Sequence, residues 1–310
     1  MSPEAKPKHA LGYGPDVTEA CERALVTLLG AFTGLADTIR LVGGLAPRYI
    51  TPAAPPHVPS HVGTSDVDVV FNLQVVATGK GNYSKLAKQL NDRGFVRHVD
   101  EDHKPASWRW KLNVDGIVVF VEFLRHASDG ARPGTVVSVD GEKVSALAVP
   151  YAEIAHDWYI KHEITAKLVD GGEVTRTIHV VDAVGFVILK AVAFQERDEP
   201  KDAADLIHVL RYAGSPDEVA AMFVARIKSR KHEAAISAGL DALRARFCDD
   251  DIERAIRKHG PVAYAQFHRD PDDDEDTRVL NQRYASALVT SILAVIEPHR
   301  PPTAAALWTT

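Results

Sequence analysis

The segment Asp66-Val-Asp68-Val-Val-Phe71, preceded by His61-Val-Gly-Thr-Ser, sets the tightest limit on how this chain can fold. Val67 to Leu73 is predicted as a strand, and residues two apart on a strand point to one side. Asp66 and Asp68 therefore project together from the mouth of an otherwise apolar strand. Two converging carboxylates either sit solvated at a strand start or share a cation. The hard, oxygen-ligated cation suited to a phosphate substrate is Mg²⁺. An apolar-then-glycine turn, Leu41-Val42-Gly43-Gly44, comes shortly before them.

A third acid follows in Gly116-Ile-Val-Val-Phe-Val-Glu122-Phe-Leu124. A run this apolar reads as a strand buried on both faces, where an unpaired carboxylate costs several kcal/mol. Glu122 is then either salt-bridged to Arg109 or Lys111 on a neighbouring strand, or the third group facing a metal. With Asp66 and Asp68 on a strand expected beside it, the metal reading is preferred. Three carboxylates can hold two Mg²⁺ ions, a clamp for in-line phosphoryl displacement. Gly43 and Gly44 allow backbone N–H groups close to phosphate oxygens, and Thr64 and Ser65 add hydroxyl donors on the same approach. His61, just before the acidic pair, reads more simply as a loop histidine than as a phosphate or base contact.

The second charged constellation runs from Phe186 to Leu206. Lys190 sits within an apolar helix, Arg197 follows two turns later on its face, and Pro200 starts a new helix carrying Asp202 and Asp205. This is either an interhelical salt-bridge network or a lysine that neutralises triphosphate charge, held by those aspartates.

Around these motifs the chain is ordinary. It has 310 residues, 45% hydrophobic and 25% charged, enough for one large domain or two smaller ones. The first residues lack the apolar core of a signal peptide, and the apolar stretch Val184 to Phe194 is short and contains Lys190, so neither export nor a bilayer span is expected. Cys21 and Cys248 have no metal-ligand spacing and suggest no disulfide framework. A cytoplasmic protein is the simplest expectation. Net charge is −6, and the stretch Asp270 to Asp276 holds six acids and no base, so the rest sums to about zero. Arg226, Lys228, Arg230, Lys231, Arg244, Arg246, Arg254, Arg257 and Lys258 cluster, either as the solvated faces of surface helices or as a phosphate-backbone surface.

Periodicity and turn residues order the remainder. A helix is predicted over Asp16–Asp37, a strand over Thr38–Val42, and a proline-dense loop, unfit for regular structure, over Pro47–Pro59. A helix near Tyr83–Asp92 follows, then a hairpin turning at Asp115-Gly116, with further hairpins at Asp140-Gly141 and Gly171-Gly172. Helices are expected over Asp182–Glu196, Pro200–Tyr212, Pro216–Ser229, His232–Phe247, Asp250–Lys258 and Thr277–Ile296. The predicted division is a tail over 1–15, an α/β domain with a mixed sheet over 16–180, and a helical C-terminal domain over 181–310, in which 270–276 is an acidic linker.

Gly43-Gly44, Gly63-Thr-Ser65-Asp66-Val-Asp68 and the downstream Glu122 strand resemble the signature of the DNA polymerase β-like nucleotidyltransferase fold. Lys190 followed by Lys201-Asp202-Ala-Ala-Asp205-Leu looks like the AbiEii/AbiGii (MenA-type) nucleotidyltransferase toxin family. The resemblance covers Thr38 to Leu210. It implies transfer of a nucleoside monophosphate from an NTP to an acceptor hydroxyl, with Asp66, Asp68 and Glu122 on magnesium. Gly43, Gly44, Thr64, Ser65, Lys190 and Arg197 would handle the nucleotide, and Lys190 with Asp202 would complete the catalytic pocket. It also implies a tRNA 3′ end or other RNA as acceptor, and a cognate antitoxin as partner. The chain departs from the pattern in the Pro52–Pro59 stretch and in having Glu where Asp is more common. Nucleotidylation of a small molecule or protein, and a non-catalytic nucleotide-binding module, are the alternatives.

Overall fold

The computed structural model describes residues 6–32, 34–71, 86–99, 105–128, 131–138 and 143–300. Among them the chain forms two compact units, one built on Leu11–Phe186, to which Lys6 also belongs, and one from Val187 onward.

The first unit is a mixed sheet. Its strands are β1 (Ile39–Val42), β2 (Asp66–Phe71), β3 (Val96–Val99), β4 (Pro105–Val114), β5 (Ile117–His126), β6 (Val136–Ser138), β7 (Ser145–Val149), β8 (Tyr159–Lys167) and β9 (Glu173–Val181). They are ordered β3-β4-β5-β2-β1-β9-β8, with β7 pairing both β5 and β6. β2 runs parallel to β5 and antiparallel to β1, the arrangement that carries the acidic motifs. Helix α1 (Pro15–Ala31) covers one face. Phe32 at its C-terminal end packs against Phe71 and Phe123 at ring separations of 5.9 and 6.1 Å. Val67, Val69, Val121, Trp110 and Val180 are fully buried with them. The alternating residues, among them Asp66, Asp68 and Glu122, face the opposite side.

Turn chemistry places the hairpins as predicted. Asp115 and Gly116 both adopt positive φ between β4 and β5, and Gly171-Gly172 closes β8 onto β9. The Asp140-Gly141 turn lies outside the described residues, as do the last two residues of the strand predicted over Val67–Leu73. The helix predicted near Tyr83–Asp92 is described only as α3 (Leu86–Asp92). Two expectations need correction. The first helix ends at Ala31 rather than Asp37; Leu35 is buried from a short 3₁₀ connection instead. The proline-dense stretch begins with a helical turn, α2 (Pro47–Ile50), because a proline at the first helical position has no N–H to lose.

The second unit is helical: α5 (Ala183–Glu196, whose later part lies in this unit), α6 (Pro200–Tyr212), α7 (Pro216–Lys228), α8 (Glu233–Phe247), α9 (Ile252–Ala255), α10 (His259–Phe267) and α11 (Glu275–Ile296), with α4 (Ile154–Asp157) belonging to the first unit. Helix α11 packs against α6, α7, α8 and α10. The segment 275–299 is long and apolar enough by composition to cross a membrane, yet Ala285, Leu288, Val289, Ile292, Leu293 and Ile296 are buried within the unit. Helix α10 lies where the periodicity predicts none; Pro261 falls in its first turn, where a missing N–H costs nothing. The acidic run is more than a linker. Asp274 caps α11 by accepting from the Thr277 amide at 2.8 Å, and Glu275 and Asp276 lie in the helix's first turn, where negative charge is favoured.

Candidate active site

Strand register builds the site. Asp68 lies directly beside Glu122 across the β2–β5 pair, and Glu122 in turn lies beside Arg109 across the β4–β5 pair. Val42, the last residue of β1, sits opposite Asp68 on the other side. Asp66 is buried, whereas Asp68 and Ser65 are half-buried. The two aspartates thus share one face, as their spacing requires.

The turn after β1 closes on Asp68. Gly43 has φ +66°, and a Cβ built on it would lie 1.9 Å from Asp68 Oδ2. Only glycine allows the backbone that near the carboxylate. Gly44 is buried in the 3₁₀ turn that follows. The approach to β2 is pinned from α1: at Gly63, φ +98°, a Cβ would meet Thr18 Oγ1 at 2.0 Å, and Cys21 Sγ donates to the Thr64 carbonyl at 3.6 Å. His61 Nδ1 accepts the Gly63 amide at 3.1 Å, so its ring shapes the loop.

Thr64 is buried, and its hydroxyl donates to Asp66 Oδ1 at 2.7 Å. Its role in this structure is to hold Asp66, not to present a donor to solvent. Asp66 Oδ2 forms an ion pair with the Lys6 ammonium. Burial opposes the charged form of Lys6 most strongly, but Asp66, Asp68 and Glu122 outweigh it and raise the ammonium's pKa above the usual lysine value. All three carboxylates therefore lie within electrostatic reach of one cation.

Glu122 differs from expectation in its surroundings. The apolar run predicts burial on both faces of the strand, but the Glu122 side chain is 16% exposed on the face away from α1, and Val118 on the same strand is exposed. Its Oε1 pairs with Arg109 Nε at 2.9 Å, and the Arg109 guanidinium lies over the Phe120 ring at 4.1 Å. Of the two alternatives for Glu122, the salt bridge to Arg109 is present, and strand register also sets Glu122 beside Asp68. Among the described residues no three His, Cys, Asp or Glu side chains close up into a ready metal cage. The pair Asp66 and Asp68 still suits Mg²⁺, which is typically held by one or two carboxylates with substrate phosphates and water completing the shell. A lysine ammonium drawn to this point is an observation of cation preference in the residues themselves.

Further along the same sheet face, Arg40 is buried with its guanidinium over the Tyr159 ring at 4.2 Å. Burial, reinforced by Arg40, pushes His156 of α4 down to about 4. That end of the face is thus capped with a neutral histidine at ordinary pH.

The second constellation lies in the helical unit. Lys190 Nζ is buried and pairs with Asp202 Oδ1 at 2.9 Å and Asp205 Oδ2 at 3.1 Å. Arg197 Nε reaches Asp202 Oδ2 at 2.8 Å, and Lys201 Nζ reaches Asp205 Oδ1 at 2.7 Å. Burial alone would raise the Asp202 carboxyl, but Lys190 and Arg197 overcome it and hold it below the usual range. Burial alone would lower Lys190, but Asp202 and Asp205 prevail and hold it above its usual value. The interhelical network predicted from spacing is present, and Lys201 joins it as a further member.

The basic cluster is partly neutralised. Arg244 pairs with Glu297, Arg246 with Asp198 at 3.2 Å, and Arg254 and Lys258 with Asp249 at 3.6 and 3.7 Å. Lys228, Arg230, Lys231 and Arg257 are exposed. Glu297 and Asp198 lie far along the chain from Arg244 and Arg246, so those two pairings gave no signal in the sequence, whereas Asp249 is a near neighbour of Arg254 and Lys258.

A family model described as nucleotidyltransferase matches residues 23–209, well over half of the chain. The match takes in Gly43, Gly44, Asp66, Asp68 and Glu122 as well as Lys190 and Asp202. No curated protein matches the chain.

Proposed function

Because the chain belongs to the nucleotidyltransferase family, we propose that it moves a nucleoside monophosphate from an NTP to an acceptor hydroxyl at Asp66 and Asp68. The observation that carries this reading is the side-by-side register of Asp68 and Glu122, with Asp66 on the same face. Asp66 and Asp68 would hold Mg²⁺ together with triphosphate oxygens. When bound, the metal supplies Lewis-acid charge that offsets the negative charge of the reacting phosphates.

The chain's own residues account for the rest of the step. Thr64 fixes Asp66, and the Gly43-Gly44 turn brings backbone N–H groups toward the triphosphate. Arg109 holds one Glu122 oxygen, leaving the other to take the acceptor hydroxyl's proton. The acceptor oxygen bonds to the α-phosphorus, the bond to the β-phosphate breaks, and pyrophosphate leaves. In this reading Ser65 adds a hydroxyl donor toward the triphosphate, while within the helical unit Asp202 holds Lys190.

The acceptor we propose is the tRNA 3′ end, with the protein acting in the cytoplasm as the toxin of a toxin–antitoxin pair. This rests on the motif resemblance through Lys190 and Lys201-Asp202-Ala-Ala-Asp205, and on the exposed bases Lys228, Arg230 and Lys231. A second reading, a small-molecule or protein acceptor, is favoured by the ion pairing of Arg244, Arg246, Arg254 and Lys258, which leaves a smaller basic surface.

The test is incubation with each α-labelled NTP, Mg²⁺ and total tRNA, beside small-molecule acceptors. Label on tRNA is expected from at least one NTP, and Asp66→Asn should reduce it by at least ~100-fold, since even groups behind the metal ligands cost 10–100-fold. Label on a small acceptor alone would select the second reading. Undiminished transfer by Asp66→Asn, or no transfer from any NTP to any acceptor, would count against the assignment.

A further inference from the structure

Lys6 lies outside the segment that matches the nucleotidyltransferase family, yet its ammonium reaches into the acidic site. It pairs with Asp66 Oδ2, the carboxylate oxygen opposite the one held by Thr64. Asp68 and Glu122 act on the same ammonium from their neighbouring strands. A lysine is a compact cation on a flexible stem, and this one keeps 41% of its side chain exposed. It can therefore withdraw into water without breaking the fold.

An ammonium held at Asp66 Oδ2 repels a divalent ion approaching the same carboxylate and takes up coordination space there. We propose that Lys6 is a tethered competitor for the divalent-cation site, occupying Asp66 until a metal ion displaces it and so holding the site closed. This rests on the reading of Asp66 and Asp68 as metal ligands. The lysine is monovalent and half in water, so its hold is modest and the metal, which engages both aspartates, prevails when abundant. The device raises the metal concentration at which the site opens. Apparent affinity is the intrinsic affinity multiplied by the fraction of molecules in which Lys6 is withdrawn.

The experiment is a titration of the full chain with Mn²⁺ alone, free ion being followed by electron paramagnetic resonance at constant ionic strength. Wild type, Lys6→Gln, Lys6→Met, Lys6→Arg and Asp66→Asn are compared. The two neutral variants should bind Mn²⁺ roughly three- to tenfold more tightly, as expected when an occluded state is removed. Lys6→Arg should stay near wild type, and Asp66→Asn should lose the site. Equal or weaker binding by both neutral variants, with binding still lost in Asp66→Asn, overturns the competition and leaves the aspartates as ligands. Binding that is unaffected by Asp66→Asn, or absent from every protein, overturns the ligand reading and the competition with it.

Discussion

Gly43 has φ +66° and faces Asp68 Oδ2 where a side chain would begin, so a single methyl group there tests the site's architecture. Gly43→Ala faces a left-handed backbone, costing ~1–2 kcal/mol, as well as a contact that must push Asp68 aside. The expected outcome is a lower urea midpoint and a loss of nucleotide transfer larger than the stability loss explains. Wild-type transfer by a folded Gly43→Ala protein would remove the turn from the site. At this scale much was legible: the Asp-x-Asp spacing settles that both carboxylates face one way, whatever the rest of the fold does. The partner of Glu122 was legible only as a choice, because Arg109 becomes its neighbour through the β4–β5 register and not through sequence proximity.

The helix pair α5 and α6 is the element on which the second constellation stands. Asp202 is 3% exposed and contacts both Lys190 and Arg197. Asp202→Ala strands a buried ammonium on Asp205 alone, and loss of one partner of a buried pair costs ~3–5 kcal/mol. Because the folded Asp202 carboxyl titrates below its unfolded value, its contribution is present above pH ~4 and lost as pH falls through the folded value. Lys190 is shifted the other way, so its contribution is present below pH ~10.4 and lost as pH rises through the folded value. Urea unfolding at pH 7 and pH 3 should therefore show the gap between wild type and Asp202→Ala narrowing in acid. A gap independent of pH would mean the carboxylate charge is not what stabilises the pair. The start of α6 was readable from Pro200, while α10, which opens His259-Gly260-Pro261, was not predicted.

Taken whole, the molecule has a sheet unit bearing the acidic site and a helical unit bearing the exposed bases, and its modest net charge of −6 conceals how unevenly charge is spread. If tRNA is the acceptor, Lys228, Arg230 and Lys231 contact phosphates and binding must weaken with salt. Replacing the three by alanine should reduce the slope of log K against log salt by about 2–3, close to one per contact. An unchanged slope would direct attention to a small acceptor. Taken alone, the sequence determined what local physics controls: apolar alternation, the Asp-Gly and Gly-Gly turns, the proline-led helix starts, and a common face for Asp66 and Asp68. These depend on backbone preferences that act over a few residues. Only the tertiary structure decided that Asp68 stands beside Glu122, that Arg109 claims one of Glu122's oxygens, that Lys6 comes to Asp66, and which surface bases are already paired. Charge acts through space, and the distances between these groups are set by strand register and core burial rather than by their order along the chain.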